Sequence, residues 1–296
     1  MKALSTGLFF CISTILFSQP GNGYKPIKLD PNYNHSKWET SPSDLVYEFG
    51  AFTSSFDSND DNDGDGKGES WGIPEWVSYE IKSVPNQTES GNRPSRWLTD
   101  KQGNKDGFVP NDATYAVSGV RSMKEVKDDY RYVRGHLCMK KIAGRVSLDA
   151  EYNTHTTLNA VPQLQWQNRG IWLALEYKTV EWAEKHGSVW VVCGPVFFGK
   201  KPAVWLGQEG EVKAAVPDAL YKIVIKEVNG VPEALAFLIP NVIPSDKDEY
   251  SEFVTSVDRI EKLTGLDFMS NADIDEMETQ NESLSANKKK TLIRSW

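Results

Sequence analysis

The chain has 296 residues and a net charge of −8, with an isoelectric point near 5.2. That excludes the uniformly basic surface of most non-specific nucleic-acid binders. A 39% hydrophobic and 11% aromatic content excludes a disordered chain. No segment beyond residue 18 approaches the ~20 apolar residues of a transmembrane helix, so no membrane partner is expected. The charge is uneven, however. Residues 121–145 hold eight Lys/Arg against three acids, and residues 55–70 hold six acids against Lys67.

In chain order, Lys2 followed by the apolar run Leu4–Phe17 reads as a signal peptide over residues 1–18, implying a secreted or periplasmic protein. Its removal would take away Cys11 and leave Cys138 and Cys193. In an exported protein these form either a disulfide or two buried thiols. Residues 19–70 read as an extended leader ending in an acidic linker rich in Asp and Gly. Asn59, Asp61, Asp63 and Gly64 imitate the start of a calcium loop, but Ser70 stands where a bidentate Glu belongs.

Order begins at Trp71. Glu75–Ile81 alternates apolar and polar residues and predicts a strand. Strands are also predicted over Tyr132–Leu137, Thr154–Val161 and Val189–Cys193, the last ended by Gly194-Pro195. Gly170–Lys185 has helical spacing and stops at Gly187. Tyr221–Val228 and Ala234–Ile239 predict a hairpin around Asn229-Gly230. Ser251 is expected to cap a helix bearing Val254, Val257, Ile260 and Leu263. Residues 269–296 read as a mobile tail.

Between residues 134 and 176 the chain gathers Arg134, His136, Asn159, Asn168 and Glu176. An imidazole can take a proton from water near neutral pH. A guanidinium neutralises phosphate, and hard oxygen donors suit Mg2+. Each residue alone has a structural alternative: a helix-start Asn is commonly a cap, a strand His a structural group. His155 precedes Asn159 and is read as approaching the site or as a hydrogen-bonding residue.

The order R-G-H-L, N-A-V-P-Q and N-R-G-I-W-L-A-L-E resembles the active-site signature of the DNA/RNA non-specific endonucleases. This is the ββα-metal family that includes secreted sugar-non-specific bacterial nucleases and the endonuclease G type. E-W-V-S-Y-E-I, R-W-L-T-D, Asp129-Tyr130, C-G-P-V-F, A-V-P-D-A-L-Y-K, A-F-L-I-P-N and I-E-K-L-T-G-L-D-F extend the resemblance in order across residues 71–268. It implies one α+β domain, a central antiparallel sheet flanked by helices, with the ββα-metal unit at residues 132–186. It implies His136 as general base, Asn168 as the protein ligand of Mg2+ (or Mn2+ or another divalent cation), and Glu176 as a carboxylate behind the metal. Asn159 would hold the geometry and Arg134 would stand beside the histidine. Arg96 would bind phosphate, with Arg93 as the alternative. DNA and RNA are the implied substrates. Val133 departs from the pattern, which usually has Asp before R-G-H. The competing readings are a phosphodiesterase acting on another phosphoester and a catalytically silent nucleic-acid-binding fold.

Overall fold

The computed structural model describes residues 16–18, 23–38, 40, 45–58, 70–84, 91–116, 131–243, 249–271 and 284–296. In chain order the strands are β1 (Leu16–Ser18), β2 (Leu45–Glu48), β3 (Thr53–Phe56), β4 (Pro74–Lys82), β5 (Tyr132–His136), β6 (Ala160–Leu164), β7 (Ser188–Val196), β8 (Trp205–Leu206), β9 (Ala214–Ala215), β10 (Ala219–Val228), β11 (Val231–Pro240) and β12 (Val254–Thr255). The helices are α1 (Lys101–Asp106), α2 (Asp112–Ala116), α3 (Lys140–Gly144), α4 (Leu148–Asn153), α5 (Gln165–Gln167), α6 (Leu173–His186), α7 (Val257–Thr264) and α8 (Ala286–Ser295).

Eight strands form one sheet in the order β1-β2-β3-β4-β7-β10-β11-β12, antiparallel except for the β1/β2 pair. Strand alternation splits its residues between two cores. On one face Val77, Tyr79, Val191, Cys193, Val224 and Phe237 pack against Leu137, Ile142, Trp172, Leu175 and Trp182. On the other, Trp76, Trp190, Val192, Tyr221 and Ile223 meet Trp38, Val257, Ile260 and Phe268. Helices therefore cover both faces of an antiparallel sheet, the α+β arrangement expected from the sequence. The site is carried on the first face, by the separate β5–β6 hairpin and the helix that follows it.

Several boundaries differ from the sequence reading. Residues 45–56 are not an extended leader: β2 and β3 extend the sheet beyond β4, and Val46, Phe49, Phe52 and Phe56 are buried. Serine-rich β3 is fully buried, so its polar composition hid it; Ser54 Oγ donates to the Leu158 carbonyl at 2.6 Å. The predicted strand over Thr154–Val161 is a tight turn at Thr157–Asn159 followed by β6. Strand β7 runs through Gly194-Pro195 to Val196. Ser256, not Ser251, caps α7, its side chain accepting from the Arg259 amide. The end of the chain is not a loose tail. Helix α8 docks through buried Ile293 and Trp296, and the Trp296 ring lies 4.9 Å from Trp182. Cys138 and Cys193 are free buried thiols rather than a disulfide. The calcium-like register, Asp129-Tyr130 and part of the basic stretch fall outside the described residues. Among the described residues no helix is long and apolar enough to cross a membrane.

Candidate active site

Strand β5 delivers Arg134 and His136, and its pairing with β6 is continuous from Tyr132↔Leu164 to His136↔Ala160. Just past the pairing, Asn159 locks the hairpin end. It is fully buried, its Oδ1 accepts from the Cys138 amide at 2.8 Å, and its Nδ2 donates to the carbonyls of Cys138 (2.9 Å) and Thr154 (3.0 Å). Its polar atoms are thus committed to the backbone of Cys138, two residues past His136, and of Thr154. Trp172 holds the histidine from behind, Nε1 donating to the His136 carbonyl at 3.3 Å.

The His136 ring sits among aromatic groups. Trp97 lies 4.6 Å away, His155 lies 5.1 Å away edge-on, and Trp97 also contacts His155. His136 Nε2 is buried without a hydrogen-bond partner among the described residues, as is His155 Nε2. Burial, then the charges of His155, Arg93 and Lys140, push the His136 pKa down to about 3. The imidazole is therefore neutral at ordinary pH, with a nitrogen free to accept a proton. His155 is not on a strand; it follows α4, its Nδ1 lying 3.3 Å from the Tyr152 carbonyl. The contact of Trp97 with His136 was not evident beforehand, whereas the approach of His155 was one of the two readings of the sequence. Trp97's place in R-W-L-T-D beside the arginine was the available signal.

Arg134 is engaged on its own side of the site. Its Nη2 lies 2.6 Å from Asp112 Oδ1 and donates to the Asp112 carbonyl at 2.7 Å. Its guanidinium also lies 5.9 Å from the Trp97 ring and 5.8 Å from Tyr115. Arg134 thus has a carboxylate partner in Asp112, from α2. Of the two candidate phosphate arginines, Arg93 is the one whose charge acts on both His136 and His155. Arg96 is exposed on the same loop. Arg93 is exposed there too, so the R-W spacing and its alternative both place an arginine on this open loop.

Asn168 and Glu176 lie on either side of a kink at Gly170 that joins two helical pieces, and Asn168 does not open the first of them. The helix starts at Gln165, and Asn168–Trp172 form a π-turn with Gly170 at φ −93°, ψ −106°. Such wide turns recur at functional sites because they re-aim side chains within a helix. Asn168 is half-buried, and its Nδ2 donates to Gln163 Oε1 at 2.6 Å. That bond uses the amide's donor end and leaves the oxygen available. Glu176 is buried, and burial raises its pKa to about 7 against the opposing charge of Lys222. Lys222 hides on apolar-looking β10: fully buried, 4.2 Å from the Trp172 ring centre and hydrogen-bonded to Tyr79 Oη at 3.2 Å.

A divalent cation fits this donor set in one way. Among the described residues no three His, Cys, Asp or Glu side chains gather. An amide oxygen suits a hard cation that keeps most of its water. Asn168 Oδ1 meets that requirement and the histidines do not, since soft N/S-rich sites select other metals.

The antiparallel sheet, the β5–β6 hairpin and the helix after it make up a fold of the ββα-metal type. A solved endonuclease G, in the crystal structure of the EndoG/EndoGI complex, shares the fold with a TM-score of 0.58 at 20% identity, over 77% of this chain and 86% of that one. The family model for DNA/RNA non-specific endonuclease matches residues 68–275, and the chain belongs to that family. Relatives include "Nuclease EXOG, mitochondrial" of Danio rerio, 30% identical over 206 residues, covering 66% of this chain and 55% of that protein. Others are "Nuclease 1, mitochondrial" of Schizosaccharomyces pombe, 29% identical over 59% of this chain and 57% of its own length, and "Nuclease" of Nostoc sp., 27% identical over 68% of each. The chain spans about half the length of the mitochondrial relatives it matches.

Proposed function

We propose that this protein is an endonuclease that hydrolyses phosphodiester bonds of DNA and RNA with little sequence preference. The observation that carries the reading is His136: a neutral imidazole with an unpartnered Nε2, fixed by Asn159 and Trp172 beside Arg134 and Arg93. His136 takes the proton of the attacking water. A pKa of about 3 makes a weak base, but part of that depression comes from Arg93 and Lys140. A phosphate drawn in beside those cations offsets their charge and raises the basicity of His136 when substrate is present. Arg93, with Arg96 on the same loop and Arg134 across the ring, stabilises the added negative charge of the transition state. Asn168 Oδ1 would hold the cation, with Glu176 behind it; Mg2+ is the proposed ion, Mn2+ a substitute. When bound, the ion supplies Lewis-acid stabilisation of phosphate oxygens. Indifference to sequence follows when contacts go to phosphate and sugar.

Export is the proposed route, with residues 1–18 as the signal; the parallel edge strand β1 (Leu16–Ser18) would leave the sheet with it, and β2 would become the edge. A single Lys before an apolar run is unlike the Arg-rich amphipathic presequences of mitochondrial import. Supercoiled plasmid and total RNA, incubated with the purified protein in Mg2+ or in EDTA, test the activity. Mg2+-dependent loss of both substrates is expected. Cleavage of neither by folded protein would favour a different phosphoester or a silent binding fold.

A further inference from the structure

Behind Asn168 lies a line of three amides that the proposed chemistry does not use directly. Asn168 Nδ2 donates to Gln163 Oε1 at 2.6 Å, and Gln163 Nε2 in turn donates to Gln167 Oε1. Gln163 and Gln167 are both fully buried, and Gln167 Nε2 finds no acceptor among the described residues. Burying two amides and leaving one donor unmatched is costly, because such a group gives up its water without replacement. A core built for stability alone would use apolar side chains at these positions.

The backbone around Gln163 is shaped to admit it. Gly135 is the middle residue of R-G-H. A Cβ there would sit 2.7 Å from Gln163 Cβ and 2.9 Å from Gln163 Cδ, closer than real contacts come. Gly135 is thus bare because the Gln163 side chain lies over it. The cross-strand partner of Gln163 is Val133, which offers no hydrogen-bonding group. The Gln163 amide is therefore left to Asn168 and Gln167.

A line of amides has a direction. As it stands, every donor points away from the Asn168 oxygen. Reversed, Gln163 Nε2 would donate to Asn168 Oδ1, and the Asn168 NH2 would face the cation instead. We propose that Gln163 is a positioning residue that sets the direction of the Asn168 amide, presenting its oxygen to the divalent cation, with Gln167 accepting from Gln163 behind it. The proposal deepens the reading of Asn168 as the metal ligand and rests on it.

Mn2+ binding to the substrate-free protein, followed by electron paramagnetic resonance, reads this without turnover. Gln163→Leu is expected to weaken Mn2+ binding about tenfold, the range seen when groups behind a metal ligand are removed. Gln167→Leu, which leaves the Asn168 partner in place, should weaken it by a smaller factor. Cleavage by Gln163→Leu should recover toward wild type at saturating cation, with the acid limb of its pH profile unmoved. Unchanged Mn2+ affinity in folded Gln163→Leu, whether or not its melting temperature drops, overturns the proposal. If Gln163→Leu does not fold, unchanged affinity in Gln167→Leu overturns it equally. Asn168→Ala separates the two layers: Mn2+ binding as tight as wild type in that variant would refute the ligand assignment itself, whatever Gln163→Leu shows.

Discussion

Replacing Asn159 by Asp is the sharpest probe of how the site is held. The side chains are nearly isosteric, so packing is preserved and only hydrogen bonding changes. Asn159 donates two bonds and accepts one, all to buried backbone. An ionised Asp keeps the bond from the Cys138 amide but turns an oxygen toward the carbonyls of Cys138 and Thr154. Each buried group left unsatisfied costs about 1–3 kcal/mol, so the substitution should cost about 2–6 kcal/mol at pH 7. That is a large share of the ~5–15 kcal/mol that holds a typical domain together. The sign with pH is also fixed. The new carboxyl's folded pKa lies above its unfolded value of about 3.9, since only the protonated acid can donate. The variant's deficit is therefore smallest below that value and grows as pH rises through the folded pKa. Urea unfolding of both proteins at pH 5 and pH 7, compared as a difference, measures this. Because Cys138 is two residues from His136, turnover should fall in step. A deficit below about 1 kcal/mol at pH 7, or one that does not grow with pH, refutes the argument.

Other outcomes follow from the same structure. Lys222→Met removes the charge opposing Glu176, whose pKa is already about 7; the carboxyl should titrate higher still, and the acid limb of the activity profile should move up in pH. His136 has its folded pKa lowered to about 3 by burial, so its contribution to stability is present above the unfolded value near 6.5 and lost as pH falls from there toward 3. His136→Asn should flatten that part of the stability curve in urea titrations at pH 7 and pH 4.5. Trp296→Ala empties a buried site against Trp182 and Lys226 and should cost about 3–5 kcal/mol by calorimetry or urea unfolding; a negligible loss would mean α8 does not dock.

The strands with period-two alternation, β4, β7, β10 and β11, were legible in the sequence, as was the Asn229-Gly230 hairpin. There, Asn229 at φ 54° and Gly230 at φ 83° take the left-handed turn those residues favour. Fully buried β3 was not legible, because its Ser and Thr are satisfied by distant groups, Ser36, Glu75 and the Leu158 carbonyl, rather than advertising a core. Docking of α8 was hidden for a similar reason: two apolar residues in a lysine-rich segment carry the contact. At the site, motif order singled out His136, Arg134, Asn159, Asn168 and Glu176, which lie on or next to the β5–β6 hairpin and the helix after it. What spacing could not give was direction. The π-turn at Asn168, the edge-on approach of His155, the Asp112 latch on Arg134 and the hidden charge of Lys222 depend on long-range packing, and no local pattern encodes them.

The most direct test of the account is the rate of plasmid and RNA cleavage by His136→Ala beside wild type, both shown folded by circular dichroism and assayed in saturating Mg2+. Loss of a general base costs about 10²–10⁴-fold, and the account predicts a fall in that range on both substrates. Activity within a few fold of wild type would contradict the assignment of His136, and with it the site built around β5, β6 and the helix that follows.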